Sequence, residues 1–252
     1  MNTAAQPHKP CTSHEDQAAE ALLPVVERFV SINGEGRFAG FPSAFVRLKG
    51  CNLRCSYCDT SWANEADCPC EWMSPRAICD FAARAKVRFV TITGGEPLLH
   101  PECIVLVKAL LSHEALPELT VEIETNGAVS LSNISSLREG LSEQDAQRLV
   151  ITLDYKLPSS GQEHFMLAEN YELLKPWDAV KFVASNQADL QRMAQIHHKF
   201  HVEQCCQSFV SPVFDAIEPA EIVNFLIQEQ LQNTRLQLQL HKIIWSPETK
   251  GV

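Results

Sequence analysis

From about Leu23 onward the chain alternates short apolar stretches with segments of helical period. Residues 25–31, 43–49, 88–93, 119–125, 148–154, 178–184, 207–210 and 235–241 have the length and apolar, β-branched content of strands. Between them, Ser74 directly before Pro75 predicts a helix cap with proline at the first helical position, and Asn186 with Asp189 predicts a second helix start. Strands that alternate with helices, joined by right-handed crossovers, predict an α/β fold with a parallel, curved sheet. Ligands of such folds gather at the carboxyl ends of the strands, here the loops after Lys49, Thr93, Thr125 and Asp154. Residues 1–22 carry neither period and are polar, Pro-containing and Ala-rich, so a disordered N-terminal tail is expected ahead of one domain over residues 23–252.

Length and composition narrow this picture. A chain of 252 residues, 45% hydrophobic, is close to the roughly 250 residues of a βα barrel. No run of about 18 apolar residues is present to cross a membrane. The first residues hold Pro7, Lys9, His14, Glu15 and Asp16 where a secretory signal needs an apolar stretch, so a cytoplasmic protein is expected. In that compartment ten cysteines point to metal ligation and buried thiols rather than disulfides. The formal charge of −10, with no run of Lys and Arg, argues against nucleic acid and for a small-molecule substrate.

The densest chemistry lies in Gly50-Cys51-Asn52-Leu53-Arg54-Cys55-Ser56-Tyr57-Cys58-Asp59, directly after an expected strand. Four thiolates would close every iron of a cubane cluster, whereas Cys51, Cys55 and Cys58 leave one iron open to a ligand. A structural zinc site is the alternative, and it needs a fourth ligand such as Cys68 or Cys70. Further on, Thr93-Gly94-Gly95-Glu96-Pro97 ends another strand, with two glycines where backbone can approach a ligand closely. In Val121-Glu122-Ile123-Glu124-Thr125-Asn126-Gly127 the strand period sets both glutamates on one face, either a polar lumen or an exposed edge. Asp154-Tyr155-Lys156 closes a later strand.

Cys-x3-Cys-x2-Cys with Tyr57 before the last cysteine resembles the signature of the radical S-adenosylmethionine superfamily. The resemblance implies an incomplete (partial) βα barrel, a 4Fe-4S cluster on Cys51, Cys55 and Cys58, and reductive cleavage of S-adenosylmethionine to a 5′-deoxyadenosyl radical. It implies that Tyr57, Gly94, Gly95, Glu96 and Glu124 bind the cofactor, and that Asp154 and Lys156 help to close its site. A narrower resemblance begins at Ser31-Ile32-Asn33-Gly34-Glu35-Gly36. It continues through Gly40-Phe41-Pro42, Phe45-Val46-Arg47 and Cys58-Asp59-Thr60 to His241-Lys242, Trp245 and Gly251-Val252.

These segments resemble the 7-carboxy-7-deazaguanine synthase family of carbon–nitrogen lyases. Its members convert 6-carboxy-5,6,7,8-tetrahydropterin to 7-carboxy-7-deazaguanine and ammonia, on the way to queuosine-type bases. The resemblance implies a homodimer, a reducing partner such as flavodoxin or ferredoxin, Mg2+ at Thr60, and substrate contacts from residues 32–36, Arg47, Thr93 and Val252. Glycines on both sides of Glu35 would leave room for a flat pterin, while Glu35 accepts from its amino-pyrimidine edge. Arg47 shares a strand face with Phe45 and can grip a carboxylate, or else form a surface ion pair. Trp245 is an apolar anchor that would tether the carboxylate of Val252 near the barrel mouth. Asn33, Asp154-Tyr155 and Ser211-Pro212 depart from residues common in that family. Two other readings share parts of the pattern: an activating enzyme that makes a glycyl radical on a protein partner, and a zinc-binding module without activity.

Overall fold

A computed structural model describes residues 21–246 and 249–252, so the tail expected over residues 1–22 lies almost entirely outside the described residues. Its nine strands are β1 (Leu23–Ile32), β2 (Pro42–Leu48), β3 (Glu71–Met73), β4 (Phe89–Gly94), β5 (Thr120–Thr125), β6 (Leu149–Tyr155), β7 (Ala179–Ala184), β8 (Gln207–Pro212) and β9 (Thr234–Leu236). They form one open sheet in the order β3-β1-β2-β4-β5-β6-β7-β8-β9. From β2 to β9 every pairing is parallel, which makes the partial barrel. The first strand corrects the wholly parallel expectation, because β1 pairs antiparallel with both β2 and β3. Residues 33–41 are too few for a parallel crossover, which needs roughly a dozen. They close a hairpin instead, through Asn33 N–H to Phe41 O (2.9 Å) and Gly40 N–H to Asn33 O (2.8 Å).

Period-two alternation sorts the strand side chains. Ala44, Val46, Leu48, Val90, Ile92, Val121, Ile123, Ile151, Leu153, Val180 and Phe182 face outward into the main core, with Ile78, Leu106, Leu110, Leu137, Leu190 and Met193 of the covering helices. Each of these Val, Leu, Ile, Phe and Met side chains contributes about 1.5–3 kcal/mol on burial. The opposite face of the same strands carries Arg47, Thr91, Thr93, Glu122, Glu124, Thr152, Asp154 and Lys181, so the lumen is polar. Register brings these residues into rows: Arg47 pairs Thr93, Glu124 pairs Thr152, and Asp154 pairs Lys181.

Both expected helix starts are present. Ser74 accepts from Ala77 N–H (3.3 Å) before the helix Pro75–Ala85, and Asn186 accepts from Asp189 N–H (3.0 Å) before Gln187–Lys199. The strand expected over residues 235–241 is corrected: only Thr234–Leu236 pairs, and Leu240–Ile244 is a short helix. Gln237 ends the strand, because its side-chain amide grips Gly36, accepting from its N–H (2.6 Å) and donating to its carbonyl (2.9 Å). Leu240 N–H then bonds Gly34 O (3.1 Å), which carries the chain across the mouth of the lumen.

Candidate active site

A cavity of about 290 Å³ opens at the carboxyl ends of the parallel strands. Cys51, Cys55 and Cys58 share its wall, each half-buried. Their loop is held at both ends. Where it leaves β2, Gly95 N–H bonds Leu48 O (3.1 Å) and Glu96 N–H bonds Gly50 O (2.8 Å). Ser56 is tied to the following layer through N–H to Ser160 O (3.1 Å) and hydroxyl to Ser159 O (2.7 Å). The glycine pair is explained by this seating, since a Cβ on Gly94 would overlap the Leu48 backbone and one on Gly95 the Gly50 carbonyl. The close backbone approach expected there is thus first of all to the protein's own chain.

Burial pushes the Cys55 thiol up to about 11 against the pull of Lys156, and it raises Cys58 as well. Among the described residues no three His, Cys, Asp or Glu side chains converge on one ion position. Cys68 and Cys70, the fourth ligands a zinc site would need, lie off the cavity wall. The Tyr57 hydroxyl is buried beside the loop with no partner, and burial raises its pKa.

The lumen rows add a charged network to the same cavity. Thr93 donates to Glu124 (2.6 Å), and Lys156 donates to Asp154 (2.7 Å). Lys181 pairs with Glu35 (3.3 Å) and Asp154 (3.6 Å), and Gln239 donates to the same Glu35 oxygen (3.2 Å). Burial alone would raise Glu35, but Lys181 and Gln239 outweigh it and leave the carboxyl below its ordinary value. For Asp154 burial is likewise outweighed, here by Lys156 and Lys181. Burial would lower Lys181, yet Asp154 and Glu35 lift it well above its ordinary value. One oxygen of Glu35 and one of Asp154 remain buried without a protein partner, two acceptors a polar ligand can use.

Arg47 lies on the cavity wall rather than on the outer surface, its Nε held by Glu27 at 3.0 Å. Its Nη1 sits 3.5 Å from the Thr60 hydroxyl, which donates to Asp59 (3.0 Å). The protein packed around Asp59 would raise its carboxyl, although the side chain is 57% exposed, but Lys242, 3.6 Å away, and Thr60 hold it below its ordinary value. Ile32 and Asn33 line the cavity, the Asn33 amide being bound to Thr91 (3.0 Å) and Glu122 (3.3 Å). Thr249 and residues 250–252 line it too, with Lys250 Nζ 4.1 Å from the centre of the Trp62 ring.

One expectation is corrected, that of Glu96, and one open alternative is decided, that of Glu122. A side chain at Gly34 would meet the His241 ring and one at Gly36 would press on Glu122, while Gly34 itself lines the cavity and Gly36 does not. Glu96 is fully buried, and its carboxylate accepts from Leu98 N–H (3.0 Å), the Thr125 hydroxyl (2.9 Å) and Asn126 N–H (2.7 Å) rather than facing the cavity. Of the two readings left open for Glu122, polar lumen and exposed edge, the lumen holds: the residue is 1% exposed and bound to Thr91, Thr152 and Asn33. Sequence reasoning missed Lys181, Glu27, Gln239 and His241 as parts of the site. Lys181 left a readable signal, a lone cation in the apolar run Ala179–Ala184, whereas Glu27 and Gln239 join the site only through pairings distant in the chain.

An open, mainly parallel sheet with three cysteines on the loop after its first parallel strand, facing a polar lumen, defines a radical S-adenosylmethionine enzyme. Residues 45–153 match the model of the Radical SAM superfamily. Over 228 residues the chain is 44% identical to the 7-carboxy-7-deazaguanine synthase of Clostridium acetobutylicum, covering 90% of this chain and 98% of that one. It is 34% identical over 247 residues to that of Koribacter versatilis, covering 91% and 100%. This chain belongs to the 7-carboxy-7-deazaguanine synthase family. Its fold matches the crystal structure of QueE from Escherichia coli with a TM-score of 0.69 at 22% identity, over 91% of this chain and 99% of that one.

Proposed function

We propose that this chain converts 6-carboxy-5,6,7,8-tetrahydropterin to 7-carboxy-7-deazaguanine and ammonia, as a carbon–nitrogen lyase of its family. The observation that carries this reading is one cavity lined both by three free cysteines and by the Glu35–Lys181–Asp154–Lys156 network. Cys51, Cys55 and Cys58 would hold the 4Fe-4S cluster, which supplies the electron that cleaves S-adenosylmethionine. Tyr57, Gly94, Gly95, Glu124, Asp154 and Lys156 would bind that cofactor, with Glu96 bracing the loop from behind.

On the substrate side, Glu35 accepts from the amino-pyrimidine edge with the oxygen that has no protein partner. Arg47, oriented by Glu27, grips the carboxylate. Ile32, Asn33, Thr93 and Val252 complete the pocket. Thr60 offers one hydroxyl to Mg2+, which keeps several waters and needs few protein ligands. The same reading includes a cytoplasmic setting, a flavodoxin or ferredoxin as electron donor, and a homodimer. No helix among the described residues is long and apolar enough to cross a membrane.

The test is anaerobic reconstitution with iron and sulfide, then product analysis with the carboxytetrahydropterin, S-adenosylmethionine, Mg2+ and a strong reductant. Wild-type protein should yield 7-carboxy-7-deazaguanine, and Cys55→Ala should yield neither product nor cofactor cleavage. Stoichiometric zinc without iron would overturn the cluster. Cofactor cleavage without pterin turnover would shift the reading to an enzyme acting on another substrate, such as a glycyl-radical partner.

A further inference from the structure

We propose that Asn126 is a positioning residue that tunes the cluster through an N–H···S hydrogen bond to Cys51, with Glu96 holding it in place. This rests on the reading that Cys51 is a cluster ligand. Asn126 follows the last residue of β5 and is 6% exposed. Its side-chain oxygen accepts from Ala128 N–H (2.9 Å), so the amide nitrogen has one direction left to face. That nitrogen donates to Asn52 Oδ1 (2.8 Å) and lies 3.5 Å from Cys51 Sγ, a bonding distance for the larger sulfur atom. Leu53 N–H supplies a second donor to the same sulfur at 3.4 Å. Among the described residues no side chain donates to Cys55 or Cys58, so the bond singles out one thiol.

Glu96 gives this arrangement its anchor. A fully buried carboxylate needs several donors, and those it has are Leu98 N–H, the Thr125 hydroxyl and Asn126 N–H. It thereby fastens the backbone of Asn126 to the turn that also carries Gly95 and, through Glu96 N–H to Gly50 O, to the chain just before Cys51. The glutamate of the Gly-Gly-Glu-Pro segment thus acts on the cysteine loop through Asn126, which accounts for a carboxylate that turns away from the cavity. Hydrogen bonds to cluster sulfur raise the reduction potential, because the reduced cluster carries the extra negative charge.

The test is the midpoint potential of the anaerobically reconstituted full chain, read by spectroscopic redox titration, for wild type and Asn126→Asp. The carboxylate matches the amide in size and keeps the acceptor for Ala128, but it has no donor for Cys51 and adds a negative charge that lowers the midpoint in the same direction. Its reduced-to-oxidised ratio at fixed potential should fall about tenfold, a midpoint about 59 mV more negative for one electron. An unchanged midpoint at wild-type iron content overturns the proposal. To separate charge from donor, Asn126→Ser, which keeps a hydroxyl donor, is compared with Asn126→Ala, both neutral. A more positive midpoint for the serine supports tuning, while equal midpoints, or loss of iron from all three, reduce Asn126 to a packing role. Absence of iron from the wild type is a different result, since it removes the ligation by Cys51 on which the proposal stands.

Discussion

At Arg47 the guanidinium has one nitrogen committed to Glu27 and its terminal nitrogens turned along the cavity wall toward Thr60. A charge-assisted bond to a substrate carboxylate contributes about 1.5–3 kcal/mol, or roughly 10–150-fold in kcat/KM. Arg47→Ala should lose that much in steady-state assays while the visible spectrum of the cluster stays unchanged. An undiminished kcat/KM would leave Arg47 as the partner of Glu27 alone. Glu122 shows the opposite behaviour of a buried charge. It accepts from Thr152 (2.7 Å), Thr91 (3.4 Å) and Asn33 (3.3 Å), yet burial, and then Glu124, push it up to about 8. Between its ordinary 4.5 and about 8 the folded state holds a proton that the unfolded state releases, so folding stability falls as pH rises through that window. Glu122→Gln, which keeps the shape of the protonated acid, should flatten this fall. Melting temperatures at pH 5 and pH 8.5 check it: each 1 kcal/mol recovered at the higher pH is about 2–4 °C, and parallel wild-type and variant curves would remove Glu122 as the cause.

Among elements, the end of β4 and the start of the cysteine loop act as one piece. A methyl group on Gly95 would overlap a backbone carbonyl, which cannot swing aside as a side chain does. Gly95→Ala should therefore destabilise the fold by about 2–4 kcal/mol and lower the iron retained after reconstitution. Chemical denaturation and iron analysis read the two effects, and a variant with wild-type stability and iron would show that the loop tolerates displacement. Much at this scale was legible beforehand, because the alternation along residues 43–49, 119–125 and 148–154 reflects two environments, core and lumen, that each strand meets at once. The final strand misled for the same reason. Its apolar period is real, but the amide of Gln237 finds Gly36 on a segment far earlier in the chain, and that bond redirects everything after it.

For the molecule as a whole, the chain end returns to the beginning of the fold. Leu240 bonds Gly34, Lys242 pairs with Asp59, and Lys250 stacks on Trp62, so residues 249–252 reach the cavity that β1, β2 and the cysteine loop enclose. A peptide tag appended after Val252 should impair pterin turnover more than cofactor cleavage, whereas a tag at the other end should spare both. Equal substrate kinetics for the two tagged proteins would make the tail a packing element. The sequence by itself determined the α/β class, the three-cysteine loop, the strand ends that carry chemistry and the family resemblance, since each is written in residues adjacent along the chain. Only the tertiary structure decided that β1 runs antiparallel, that Glu96 faces inward, and that Lys181, Glu27 and Gln239 join the site. Those outcomes depend on charges and hydrogen-bonding groups far apart in the chain, which meet only after the sheet has curled and brought its lumen face together.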